Sequence, residues 1–147
     1  MNSELKEPRG IRNNNPLNIR LSSDKWQGQR PPSNSPEGEK VFCQFSTMEY
    51  GWRAAFRILT NTYYNKYKLR TIRDIVSRWA PAKENNTAAY IRHVSDYTGI
   101  GPDRVLASPK ECPTDWLLIG HAMAVVENGK ALPAVPMLKG FSLAMSQ

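Results

Sequence analysis

This chain has few cysteines, no long apolar run and no nucleotide-binding glycine loop, and each shortage removes a class of protein. Cys43 and Cys112 are the only cysteines in 147 residues. Two cannot build a disulfide framework and no C-x-x-C pair exists. Both read as free, buried thiols, with a single bridge as the minority case. The opening MNSELKEPRG lacks the apolar core of a signal peptide, and no apolar stretch approaches bilayer length. The expectation is a chain that is cytoplasmic as synthesised and reaches any outer site with a virion or by release. No P-loop, G-x-G-x-x-G or G-x-S-x-G motif occurs. His93 and His121 have no acidic or cysteine partner at ligand spacing, so neither a metal nor a cofactor is expected.

What remains is a basic, moderately apolar chain. Twenty Lys and Arg against thirteen acids give a net charge of +7, and 40% of the residues are hydrophobic. The length suits one domain with a sizeable core. The charge favours polyanionic partners, such as an anionic cell wall or nucleic acid. The basic residues are scattered and no nucleic-acid-binding signature is present, which places nucleic acid well behind.

Residues 1–10 are polar and read as a flexible N-terminus. Residues 11–40 are rich in Asn, Pro, Ser and Gly, with Leu17, Ile19 and Leu21 alternating as a short strand would. Val41, Cys43 and Phe45 alternate as a second, so a small N-terminal β element is expected. Ser46 to Glu49 fits a capping box, followed by Trp52, Ala55, Phe56, Leu59 and Tyr63 on one helical face. Thr71 opens a second helix with Ile72, Ile75, Val76 and Trp79 inward. Asn86 or Thr87 caps a third through Tyr90, Ile91, Val94 and Tyr97, ended near Gly99. Thr114 or Asp115 caps WLLIGHAMAVVENG, apolar nearly all round and therefore the buried central helix, with Gly129 as its C-cap. The tail 130–147 holds two prolines and reads as irregular chain packed on a single domain of residues 11–129. The fold class is mainly α (α+β).

Glu127 is the leading candidate for chemistry. It lies in the last turn of the buried helix and continues the face of Trp116, Gly120 and Met123. Desolvation and the negative helix end both disfavour its anion, as a general acid requires. The alternative is a solvated or ion-paired helix-end carboxylate. Glu84, in a loop, and Asp24, beside Trp26, are outside candidates; Glu49 is explained by capping. Asn13, Asn14, Asn15 and Asn18 offer amide donors and acceptors within six residues. Such side chains read hydroxyl- and acetamido-rich polymers. The plainer reading is turns and caps. Trp26, Tyr63, Tyr64, Trp79 and Tyr90 could add faces for sugar rings, although Trp52 and Trp79, on apolar helix faces, are more often core.

The string RGIRNNNPLNIR, with WQG, VFCQFSTMEYGWRAAFRIL, WAPAKENNTAAYI and VVENG, resembles a group of short phage and prophage proteins. The likeness covers roughly residues 9–129. That group is described as phage structural proteins of lysozyme-like fold. The resemblance implies a single lysozyme-like domain. A weaker similarity links NNPLNIR and FCQFSTMEYGWRAAFRIL to bacterial cell-wall N-acetylglucosaminidases, with Asn18 where that family has Gly. In those enzymes a helix ending in the catalytic Glu precedes the string. Here such a helix, LLIGHAMAVVENG, comes at the far end, which implies a circular permutation. The implied activity is cleavage of peptidoglycan glycan strands, by a glycosidase or lytic transglycosylase-like reaction, with Glu127 as general acid and Asn13, Asn14, Asn15, Asn18, Trp26 and Tyr90 binding the glycan. The alternative is a non-enzymatic phage structural or glycan-binding protein on the same scaffold, with phage structural proteins as partners.

Overall fold

The computed structural model describes residues 7–32, 38–83 and 85–146. They form six α-helices, here α1 (Arg9–Arg12), α2 (Met48–Phe56), α3 (Ile72–Trp79), α4 (Thr87–Thr98), α5 (Pro113–Asn128) and α6 (Ala134–Met145), with a π-helix, Arg57–Lys66, continuing α2. The architecture is mainly helical. No helix among the described residues is long and apolar enough to cross a membrane.

The helix starts follow from side-chain chemistry. The side-chain oxygens of Thr47, Thr71 and Asn86 accept the backbone N–H of Tyr50, Asp74 and Ala89, each cap contributing about 1 kcal/mol. Thr47, not Ser46, therefore caps α2. α5 opens differently from the expectation of a Thr114 or Asp115 cap. Cys112 is its N-cap without a side-chain bond, and Pro113 occupies the first turn, where its fixed φ suits the helix and no N–H is missed. Gly99 and Gly129 end α4 and α5 in left-handed geometry, as expected.

The helical faces read from the sequence point inward. Trp52, Ala55, Phe56, Leu59, Ile72, Ile75, Val76, Val94, Trp116 and Ile119 are fully buried; each large apolar side chain among them contributes about 1.5–3 kcal/mol. Tyr97 departs from this: it is exposed and its hydroxyl meets His121 Nδ1 at 2.7 Å. The helix after Phe56 widens to π spacing. Thr60 Oγ1 donates to Phe56 O at 2.6 Å, taking up the carbonyl one α-turn back, a competition that loosens the α ladder.

Two expectations are corrected. The tail is not irregular, because residues 134–145 form α6. Pro133 is its N-cap and Pro136 lies in the first turn, where N–H groups have no intrahelical partner to lose. α6 packs along α2, with Phe141 edge-on to Phe56 at 4.9 Å. The N-terminal β element reduces to isolated antiparallel bridges, Arg20 with Phe42 and Gln29 with Phe45. Asn18 has φ 54°, which breaks the extended run after Leu17, so only residues 19–21 lie beside 41–43, through Leu21 N–H to Val41 O and Cys43 N–H to Ile19 O, each 2.8 Å. The thiols of Cys43 and Cys112 are both free, Cys43 buried and Cys112 half-buried; burial raises the Cys43 thiol pKa.

Candidate functional site

The Asn-rich string is wedged between α2 and the end of α5. Gly51 of α2 lets it in: a Cβ there would lie 1.9 Å from Asn14 O. Gly10 of α1 does the same against α5, where a Cβ would lie 2.4 Å from Asn128 Oδ1. Asn128 Nδ2 then donates to Pro16 O and to Ala124 O, both at 2.9 Å, which ties the string to the last turn of α5. Lys130 pairs with Glu7 at 2.8 Å just beyond. The residue before Asn128 is Glu127, so this docking brings its carboxylate to the string.

Glu127 is half-buried and its two oxygens meet three donors. Asn18 Nδ2 donates to Oε1 at 3.1 Å, and Trp79 Nε1 and Tyr90 Oη donate to Oε2 at 3.2 and 3.0 Å. Three elements thus hold one carboxylate: the string, α3 and α4. The sequence suggested an apolar surround for Glu127; the structure puts hydrogen-bond donors there instead. Burial raises the Tyr90 hydroxyl pKa well above 10, and the Glu127 charge and hydrogen bond add to it, so Tyr90 acts at this site as a neutral donor.

The carboxylate lies between two cavities. One, of about 400 Å³, is lined by Asn18, Arg20, Phe42, Trp79, Asn85 and others, the second, of about 610 Å³, by Asn85, Asn86, Tyr90 and His93 among others. Glu127 and Asn85 line both, so the two cavities adjoin at the carboxylate and together make up the groove. Thr87 Oγ1 donates to Ala80 O and Asn85 Nδ2 to Pro81 O, which ties Asn85 and the start of α4 back to the end of α3.

Of the residues singled out in the sequence, Glu127, Asn18 and Tyr90 come together here. Asn13, Asn14 and Asn15 do not line the groove, and their amides bond within the protein. Asn13 donates to Glu39 Oε1 and accepts from Gln44 Nε2, both at 3.2 Å. Asn14 donates to Phe45 O at 3.1 Å. Asn15 is fully buried, donates to Ile19 O and Cys43 O, and accepts from Ile19 N–H. They knit the string to residues 39–45. Trp26 and Asp24 share a separate cavity with Pro31 and Pro32, away from Glu127. Glu84 lies outside the described residues.

Asn18 has a backbone φ of 54°. The position needs a left-handed backbone, which Gly adopts freely and Asn tolerates. Glu39, the carboxylate nearest the string on its other side, is occupied. Burial opposes its charge, yet the N–H groups of Val41 and Phe42, the Asn13 amide and Arg9 override it and lower its pKa. Glu127 is the only carboxylate among the described lining residues of the groove.

Sequence reasoning missed Arg20, Phe42 and Asn85, and weighed Trp79 toward the core over a ligand face. Trp79 is half-buried, one edge on Tyr63 at 6.5 Å and its N–H on Glu127. The available signal was its place as the last residue of an apolar stripe, just before Pro81, where a helix face turns from core to surface.

No protein-family model matches the chain. Protein P5 of Pseudoalteromonas phage PM2 is 46% identical over 124 residues, a match covering 82% of this chain and 71% of that protein. The chain therefore belongs to the family of phage PM2 protein P5.

Proposed function

We propose that this protein cleaves peptidoglycan glycan strands on a lysozyme-like scaffold, with Glu127 as general acid. The observation that carries the proposal is the carboxylate held by Asn18, Trp79 and Tyr90 where two adjoining cavities meet. A carboxyl group fixed there can protonate a glycosidic oxygen as the bond to the sugar breaks. The resulting carboxylate then takes a proton from the attacking hydroxyl, of water or of the sugar itself. Two-carboxylate glycosidases need a partner at a defined separation. Glu127 has none among the described groove residues, which favours a single-acid lytic reaction or assistance by the substrate's acetamido group. Asn18 and Glu127 are 109 residues apart in sequence. Their contact supports the permuted relation to the glucosaminidases, with α5 standing where their Glu-bearing helix precedes the string. The charge of +7 favours approach to an anionic wall.

A second reading is a non-enzymatic virion or glycan-binding protein on the same scaffold. The single carboxylate favours it, as does membership of a phage protein family. Clearing of purified peptidoglycan separates the two. Wild type is expected to clear it and Glu127→Gln to slow clearing by about 10²–10⁴-fold. Absence of clearing by wild type across wall types would sink the enzymatic reading and leave the binding one.

A further inference from the structure

The two sides of Glu127 differ in charge. On the Asn18 side, the only charged residues among the described lining are Glu127 and Arg20. On the Tyr90 side, no Lys or Arg is among the described lining residues. Arg20 is exposed, and its guanidinium lies 5.3 Å from the centre of the Phe42 ring, the ring of its own bridge partner. Arg9 lies 4.9 Å from the same ring, but Glu39 is 3.8 Å from it. Among the described residues, Arg20 has no carboxylate partner. It is a cation held by an aromatic face, at the rim of a groove, with its donors free.

We propose that Arg20 is a specificity residue that recognises the carboxylate of an acidic sugar. This rests on the reading of the groove as a glycan site. A guanidinium presents parallel N–H donors that match a carboxylate bidentately, and stacking on Phe42 restricts the side chain before the ligand arrives. A peptidoglycan strand stripped of its stem peptides alternates a neutral amino sugar with one carrying a free lactyl carboxylate, which in the peptide-bearing strand is tied up as an amide. With a cation on one side of Glu127 only, the strand binds in one of its two registers. The carboxylated sugar then lies on the Asn18 side, and the same kind of linkage meets Glu127 at each encounter.

Titration calorimetry on the full chain tests this with two probes of equal length. One is a peptide-free glycan oligomer with free lactyl carboxylates, the other an N-acetylglucosamine oligomer. Wild type is expected to bind the carboxylated oligomer about ten-fold more tightly at low salt, with the preference shrinking as salt rises. Arg20→Gln is expected to abolish the preference, Arg20→Lys to keep part of it, and Arg9→Gln to keep it all. A preference that survives Arg20→Gln overturns the assignment. Equal binding of both probes by wild type overturns it too, while leaving the glycan reading in place. Binding of neither probe overturns both.

Discussion

Asn15 and Asn18 carry the same side chain three positions apart and meet opposite surroundings. Asn15 is fully buried and its amide is saturated by the backbone of Ile19 and Cys43. Asn18 is half-buried, has left-handed backbone geometry and gives its N–H to Glu127. Its Oδ1 is buried and has no protein partner among the described residues. The difference teaches that amide-rich sequence is not in itself a binding surface. In this string most of the amides replace a sheet. They supply the bonds that hold an irregular segment, whose backbone groups would otherwise be unpaired, against residues 39–45. Only the last one reaches the groove, because the chain turns there.

Substitution can break that contrast. Asn15→Ala takes the partner from Ile19 N–H and from Cys43 O in the interior, while Ile19 O keeps the Cys43 N–H, and a loss of about 3 kcal/mol is expected in denaturant unfolding. Asn18→Gly keeps the left-handed backbone at no steric cost and removes only the amide. Its stability is expected to stay within about 1 kcal/mol of wild type, with wall clearing falling about ten-fold as Glu127 loses a charge-assisted bond. If the two variants lose stability equally, the division of the string into a structural and a functional part is wrong. Trp79→Phe sharpens the same point from α3: it keeps the ring face and deletes the N–H on Oε2. A fall in clearing of about three-fold is expected, and unchanged clearing would reduce Trp79 to a packing residue.

The helices were legible because their signals are repeated. α2, α3 and α4 each combine a cap residue with an apolar stripe, and α5 is apolar on most sides. Glu127 was legible for a related reason, as a charge that continues a buried face. Single-residue signals misled. Pro133 and Pro136 read as breakers, although prolines before and inside a first turn are compatible with a helix. Alternation at 17–21 and 41–45 read as strands, although one left-handed residue, Asn18, is enough to cut a run that short. The roles of Asn13 to Asn15 depend on where residues 39–45 lie, and Arg20 gains meaning only from the ring of Phe42 across the bridge. Both are matters of tertiary placement that no local pattern carries. The amide-rich composition of the string did not tell its four asparagines apart.

Two tyrosines on either side of Glu127 extend the contrast to pH. Burial pushes the Tyr63 hydroxyl up to about 12, and burial with the Glu127 charge pushes Tyr90 well above 10. Tyr63 lines the Asn18 side and Tyr90 the other. In the unfolded chain both lose their protons near pH 10. Above that pH the folded state holds protons that the unfolded state has released, so stability falls as pH rises from about 10 toward 12 and is fully present below that window. Each tyrosine is expected to account for about 1 kcal/mol of the loss by pH 11. Urea midpoints at pH 8, 10 and 11 should therefore drop less for Tyr63→Phe and Tyr90→Phe than for wild type, the reference being each variant's own midpoint at pH 8. Tyr90→Phe carries the sharper test, since the Glu127 anion opposes ionisation only while the two groups touch. An alkaline fall in Tyr90→Phe as steep as in wild type would mean that its hydroxyl titrates freely, and that the carboxylate is not held from the α4 side in solution.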